Sequence, residues 1–266
     1  MVVRKTPREI EVMARAGDVL AAVHEVLRKV VWPGMATADL EEIAAGEIRK
    51  RAFWGTRDCP PMIRVSVNDE IAYGVPSHRR RIAPGDVVSI DCGVDVEGCR
   101  TAAACTWVAG GRELAGEPAR RLVDGTYQAL WRGIAALRPG GRLGDVSWAV
   151  RSAAEQHRLG VVAAHDGHHV GGHRTLHEGP MMLSSGRPGR GMRLRPGLVF
   201  TIEPMFVLGR PGWRQPAGER AMSSLDGSLA AHWKHTVAVT ESGPRVLTAR
   251  PAETEMFLHP RAAADT

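Results

Sequence analysis

The strongest constraint on this chain is that it repeats itself. Pro33-Gly34, four residues, then Asp39-Leu40 is matched 106 positions later by Pro139-Gly140, four residues, then Asp145-Val146. A longer pair follows in the same order. PGDVVSID at Pro84 to Asp91 and PGLVFTIE at Pro196 to Glu203 share P-G-x-V-x-[Ser/Thr]-Ile-[Asp/Glu] at an offset of 112. Two ordered matches at nearly equal offset imply an internal duplication.

Each half carries the same coarse pattern. Thr6 to Val30 places Ile10, Met13, Ala14, Val19, Leu20, Val23 and Leu27 at helical spacing, behind a Thr6 cap, a proline at the first helical position and Glu9 in the first turn. A second helix is expected over Asp39 to Arg51, capped by Thr37 or Asp39, and strands over Met62 to Val67 and Val87 to Ile90. The helix pair recurs at Ala119 to Leu137 and Leu143 to His157, with strands at Val161 to Ala164, Leu198 to Ile202 and Thr236 to Val239. The expectation is one duplicated α/β domain over 1–266, with halves of about 1–115 and 116–250 and a tail from 251 to 266. Pseudo-symmetry would then bring Asp91 and Glu203, each ending a P-G-led strand, to one seam, where facing carboxylates make a candidate active site.

Composition narrows the functions. With 44% hydrophobic residues the chain can bury a normal core. No stretch approaches the roughly 18 apolar residues that cross a bilayer, and Met1 to Glu11 is charged where a signal peptide is apolar, so no membrane role and a cytoplasmic location are expected. A net charge of +6 suggests nucleic acid only weakly, because the basic residues are scattered outside Arg79 to Arg81; no nucleic-acid partner is expected. Cys59, Cys92, Cys99 and Cys105 form no C-x-x-C pair and read as free thiols. Only four of the 35 basic residues are lysines, which makes each lysine worth locating.

PGDVVSIDCGV, LHEGP, PGLVFTIEPM and HTVAVT stand in order along the chain, and together they resemble the signature segments of the methionine aminopeptidase family. The resemblance covers almost the whole chain and implies the pita-bread fold, a pseudo-two-fold α/β arrangement around a curved antiparallel sheet. It also implies two divalent metals held by two Asp, one His and two Glu, with a bridged water that attacks the first peptide bond. Hard carboxylates and a water of lowered pKa are what that chemistry requires.

Carried over residue by residue, the resemblance makes Asp91 the first Asp, His168 the His and Glu203 the first Glu. The second Asp position holds Ala102, and the last Glu position holds Lys234. Tyr73 in AYGVP replaces one family His, while His177 in LHEGP keeps the other. The segment GHHVGGHRTLH runs two residues long, so His169 or His173 competes with His168 for its role. Lys234, paired with Asp91 or Glu203, would supply part of the charge a metal brings, either as a structural ion-pair partner or as a catalytic amine. The expected catalytic group is therefore His177, His168, Glu203, Lys234 and Tyr73. Arg64, Trp233 and Cys59 are expected to contact substrate; Arg64 stands where the family shapes its methionine pocket, which argues against methionine as the natural side chain.

The leading expectation is an enzyme without a metal cofactor, a hydrolase or lyase, acting on a small molecule or a modified amino acid or peptide N-terminus. A second is a weak aminopeptidase with a single Co, Mn, Fe or Zn ion on the remnant ligands Asp91, His168 and Glu203. A third is a non-catalytic binding module. Either a monomer or a homodimer fits.

Overall fold

The capping signal at Thr6 starts the first helix. In the computed structural model, which describes residues 3–51, 61–162, 167–170, 178–182 and 186–253, α1 spans Pro7–Val30. The Thr6 hydroxyl accepts from Glu9 N and a Glu9 oxygen accepts from Thr6 N at 2.8 Å, closing a capping box. α2 (Thr37–Arg51) begins two residues before the expected start. Asp39 acts from inside the first turn, where its carboxylate reaches back to Ala36 N at 2.7 Å.

The first half continues through β1 (Met62–Val67), β2 (Glu70–Ala72), β3 (Val87–Val96) and β4 (Cys99–Val108). β3 runs six residues past the expected end and pairs with β4 over its whole length. Every β3 residue is buried, so no polar alternation marks its extent, and Asp91, Gly93 and Asp95 read in isolation as strand breakers. A two-residue turn at Glu97 (φ +52) and Gly98 (φ +74) joins the pair.

The second half opens with α3 (Glu117–Ala136) and α4 (Leu143–Gln156), and α4 repeats the α2 start. Asp145 accepts from Arg142 N at 2.7 Å, as Asp39 does from Ala36, and Gly34 (φ +93) and Gly140 (φ +86) turn the chain ahead of the two helices. The remaining strands are β5 (Gly160–Val161), β6 (Gly167–His169), β7 (Glu178–Met182), β8 (Val199–Ile202), β9 (Met205–Val207), β10 (Trp213–Arg214), β11 (Met222–Ser224), β12 (Ala230–His232), β13 (His235–Thr240) and β14 (Gly243–Val246). They form sheets ordered β10-β11-β2, β12-β9-β5 and β14-β13-β8-β6-β7, beside β1-β3-β4.

Of three apolar clusters among the described residues, the two larger are built by the helix pairs and the smallest joins Ile71, Val162, Met205 and Val207. α1 and α2 pack Met13, Leu20, Leu27, Leu40 and Ile48 on β1 and β3, while α3 and α4 pack Leu122, Leu130, Ile134 and Val150 with Phe200 and Phe206. Ala104 and Lys234 exchange backbone hydrogen bonds across the seam between them, at 3.0 and 3.1 Å. Two threonines flank that bridge in mirrored fashion. Thr236 Oγ1 donates to Ala102 O at 2.8 Å and accepts from Ala102 N at 3.1 Å; Thr106 Oγ1 donates to His232 O at 2.7 Å and accepts from His232 N at 3.1 Å. The seam is therefore tied two residues either side of Lys234, which fixes where its side chain emerges.

Candidate active site

Three elements deliver charge to the seam. β3 supplies Asp91, the residue after β8 supplies Glu203, and the link between β12 and β13 supplies Lys234. The Lys234 ammonium lies 2.8 Å from Asp91 Oδ2 and 2.9 Å from Glu203 Oε2. The three residues are only 5%, 5% and 2% exposed, so the cluster is nearly dry. Burial alone would discharge the lysine; the two carboxylates outweigh it and hold the ammonium above lysine's usual range.

Glu203 also positions a histidine. Its Oε1 lies 2.9 Å from His168 Nδ1, and Thr201 Oγ1 accepts from His168 N at 3.1 Å. Thr201 and Glu203 share a face because they are two apart along one extended segment. A carboxylate only accepts, so Nδ1 carries a proton in this contact. His232 Nε2 stands 3.8 Å from Glu203 Oε2.

Tyr73 adopts φ +63, a conformation that costs a bulky side chain energy. The next residue explains why it is held. Gly74 N donates to Ser66 Oγ, and a Cβ at Gly74 would come within 2.2 Å of Val65 O. Burial first, then the charge of Glu203, pushes the Tyr73 phenol above its ordinary value, so it stays a neutral donor at pH 7. Arg64 pairs with Asp91 across β1 and β3, which puts the two side chains on one face, although the guanidinium donates to its neighbour Ile63 O at 3.0 Å.

Trp233 corrects an expectation. It packs on Tyr127, with ring centroids 4.8 Å apart, and under the Arg250 guanidinium at 5.2 Å, on the opposite side of the strand from Lys234. Extended backbone turns successive residues to opposite faces, so adjacency to Lys234 in sequence implies separation in space. His177, Cys59, His165 and His173 lie outside the described residues, as does the side chain of His169.

The sequence reading missed Thr201, His232, Thr106 and Thr236. For three of them the signal was period two from Glu203 and Lys234, since Thr201-x-Glu203 and His232-x-Lys234-x-Thr236 each line one face; Thr106, on β4, had no such signal. Ala102 and Ala104 occupy the facing positions of β4, where the first is paired with Gly93 and the second with Asp91.

This scaffold, with helix pairs outside and a buried charged cluster in the seam, is of the pita-bread class of peptidase folds. The chain belongs to metallopeptidase family M24, which it matches over residues 11–241. It is 39% identical over 258 residues to methionine aminopeptidase 1 of Mycobacterium tuberculosis, covering 93% of this chain and 95% of that one, and 36% identical over 252 residues to methionine aminopeptidase 1 of Bacillus subtilis, covering 93% and 99%. Among solved structures it superposes on methionine aminopeptidase from Thermotoga maritima with a TM-score of 0.86 at 34% identity, covering 94% of this chain and all of that one. The prolidase of Pyrococcus furiosus shares the fold, with a TM-score of 0.74 at 21% identity.

Against the five-donor set that the resemblance implies, the seam offers Asp91, His168 and Glu203, with an alanine and an ammonium at the other two positions. Among the described residues no group of three or more His, Cys, Asp or Glu side chains is arranged to hold a metal ion. The described donors do not fit a dinuclear centre. Among the described residues, too, no helix is long and apolar enough to cross a membrane.

Proposed function

We propose that this chain is a methionine-aminopeptidase-like enzyme that works without the dinuclear metal centre and acts on a small amine-bearing molecule or a modified peptide N-terminus. The observation that carries this reading is the Lys234 ammonium, within 2.9 Å of both carboxylates that a metal would need. A cation entering that space meets a fixed positive charge.

The same cluster suggests the substrate. Two carboxylates against one ammonium leave one unit of negative charge, and Asp91 Oδ1 is buried with no hydrogen-bond partner among the described residues. An acceptor of that kind suits a substrate ammonium group. Arg64, on the same face, suits a carboxylate at the other end of an amino-acid-like molecule. His168 Nε2 is then the base that takes a proton from water or substrate, Glu203 orients that imidazole through Nδ1, and Tyr73 donates its phenolic proton to the departing group or holds it by a hydrogen bond. His177 is assigned to the substrate side by its place in LHEGP alone.

The overall identity to methionine aminopeptidases favours a second reading, in which one ion sits on Asp91, His168 and Glu203 and supports weak peptidase activity. Elemental analysis separates the two. Protein purified without chelator, and then incubated anaerobically with Co(II), Mn(II) or Fe(II), is expected to hold no stoichiometric metal. Metal at one equivalent that disappears in Asp91→Ala and Glu203→Ala overturns the proposal. As a gain-of-binding control, Ala102→Asp with Lys234→Glu rebuilds the donor set on the same face, and the double variant is expected to take up metal where the parent does not. A protein that neither takes up metal nor turns over amine-bearing substrates, while still binding them, is a binding module.

A further inference from the structure

A cavity of 460 Å³ opens on the reverse face of the seam strands, between the C-terminal end of α1, β4 and α3. Its size is that of a small-molecule site. Three features of its walls point to one ligand chemistry.

The first is charge. Arg28, Lys29, Arg112, Arg120 and Arg250 line it against one acid, Asp124. Arg112 is engaged by Asp124, Arg28 by Glu25 and Arg250 by Glu253, but Lys29 and Arg120 have no carboxylate partner among the described residues. Two uncompensated cations therefore face the opening.

The second is aromatic surface. Trp32, Trp107, Tyr127 and Trp233 all contribute to the walls, and Trp32 is 60% exposed, an unusual position for a large apolar ring. Rings of this kind offer faces for stacking a planar ligand.

The third is an unmet donor. Trp233 is 6% exposed, and its indole N–H is buried with no acceptor among the described residues. Buried donors are nearly always paired, so an unpaired one in a cavity wall is a place where a ligand acceptor would gain a hydrogen bond.

We propose that this cavity is a second binding site, separate from the charged seam, for a small planar aromatic anion: a ring carrying a phosphate or a carboxylate. The ring lies against the tryptophan walls, the anionic group meets Lys29 and Arg120, and a ligand acceptor takes the Trp233 N–H. Metal-free aminopeptidase chemistry on the front face is not needed for this site, so the two proposals fail independently.

Isothermal titration calorimetry of the full chain tests it with four probes: adenosine monophosphate, indole-3-acetate, adenosine and inorganic phosphate. At least one of the two aromatic anions is expected to saturate one site and to bind ten-fold or more tightly than adenosine or phosphate alone. Which of them wins identifies the anionic group. Lys29→Glu combined with Arg120→Glu is expected to weaken that binding at least ten-fold, with Arg120→Lys, which keeps the charge but gives up the guanidinium bond to Ala115 O, as the control for the fold. Trp233→Phe keeps the ring and removes the donor, and a loss of several-fold is expected. Affinity for both aromatic anions no better than for phosphate overturns the proposal, as does binding that survives the charge reversal but is lost in Tyr73→Phe on the opposite face.

Discussion

A buried cation lies on each face of the seam strands, Lys234 in front and Arg250, from the segment after β14, behind, and the two are partnered differently. On the front face Lys234 sits between Asp91 and Glu203, so acceptors outnumber donors and Asp91 Oδ1 is left over. On the reverse face Arg250 and His235 converge on one carboxylate. Glu253 accepts from the Arg250 guanidinium and from Arg250 N, and it stands 3.4 Å from His235 Nε2, while Arg250 also donates to Cys105 Sγ. Burial opposes the charge on Glu253, but His235 and Arg250 outweigh it and hold the carboxyl well below the usual range. A carboxylate engaged in that way ties the segment after β14 to β13. On the front face Asp91 Oδ1 keeps an unmet acceptor among the described residues, and that is where the two faces differ.

The largest expected effect breaks this contrast directly. Lys234→Met leaves two buried carboxylates facing each other without a cation, and a loss of about 3 to 5 kcal/mol is expected in urea unfolding at pH 7 with chelator present. Arg250→Met is expected to cost less, because His235 remains beside Glu253. Adding Asp91→Asn and Glu203→Gln to Lys234→Met removes all three charges and should recover most of the first loss, since the cost lies in the unpaired carboxylates rather than in the missing lysine. Equal losses for Lys234→Met and Arg250→Met would mean that the two faces are partnered alike.

A second effect isolates the reverse face through pH. His24 is buried with its Nε2 3.1 Å from Ala103 O, on the strand that carries Cys105. Burial, reinforced by Arg250 and opposed by the Ala103 carbonyl, pushes it down to about 4 from an ordinary 6.5. The unfolded chain therefore binds a proton that the folded one refuses. The stability gained by keeping His24 neutral is fully present above pH 6.5 and is lost as pH falls from 6.5 towards 4, by about 3 kcal/mol in all. His24→Gln, which retains a donor for Ala103 O, should flatten the acid limb of a urea-midpoint profile by most of that amount. An unchanged limb would place the acid sensitivity elsewhere.

The two faces were not equally legible in the sequence. Asp91 and Glu203 were visible because each closes a repeated P-G-x-V-x-[Ser/Thr]-Ile-[Asp/Glu] segment, and Lys234 stood out as a lysine in an arginine-rich chain. Helix starts were legible because Thr6, Pro7 and Glu9 act on their own neighbours. The β3–β4 pair was only half seen: its register depends on burial from both sides, and the run Thr101-Ala102-Ala103-Ala104 carries no strand signal of its own. Trp233 was expected to contact substrate because it is beside Lys234 in sequence, whereas in the fold it packs on Tyr127 and under Arg250. The reverse-face group of Cys105, His235, Arg250 and Glu253 was missed altogether, since it joins β4, β13 and the residues after β14 through contacts that no local pattern encodes.

The smallest expected effect tests the seam between the faces. Thr106 and Thr236 each bond both backbone groups of a residue on the other half, two positions either side of the Ala104–Lys234 bridge. Valine matches threonine in shape but removes the hydroxyl, so either substitution strands one buried N–H and one buried carbonyl of the partner strand. A cost of about 2 kcal/mol is expected for each by urea unfolding, a typical penalty for orphaned buried groups. Their consequences for the site should differ all the same. Thr106 holds His232, which approaches Glu203, whereas Thr236 holds Ala102, which brings no charge to the cluster. Thr106→Val should therefore shift the pH dependence of substrate binding while Thr236→Val leaves it in place, and equal shifts would show that the seam transmits strain as one unit.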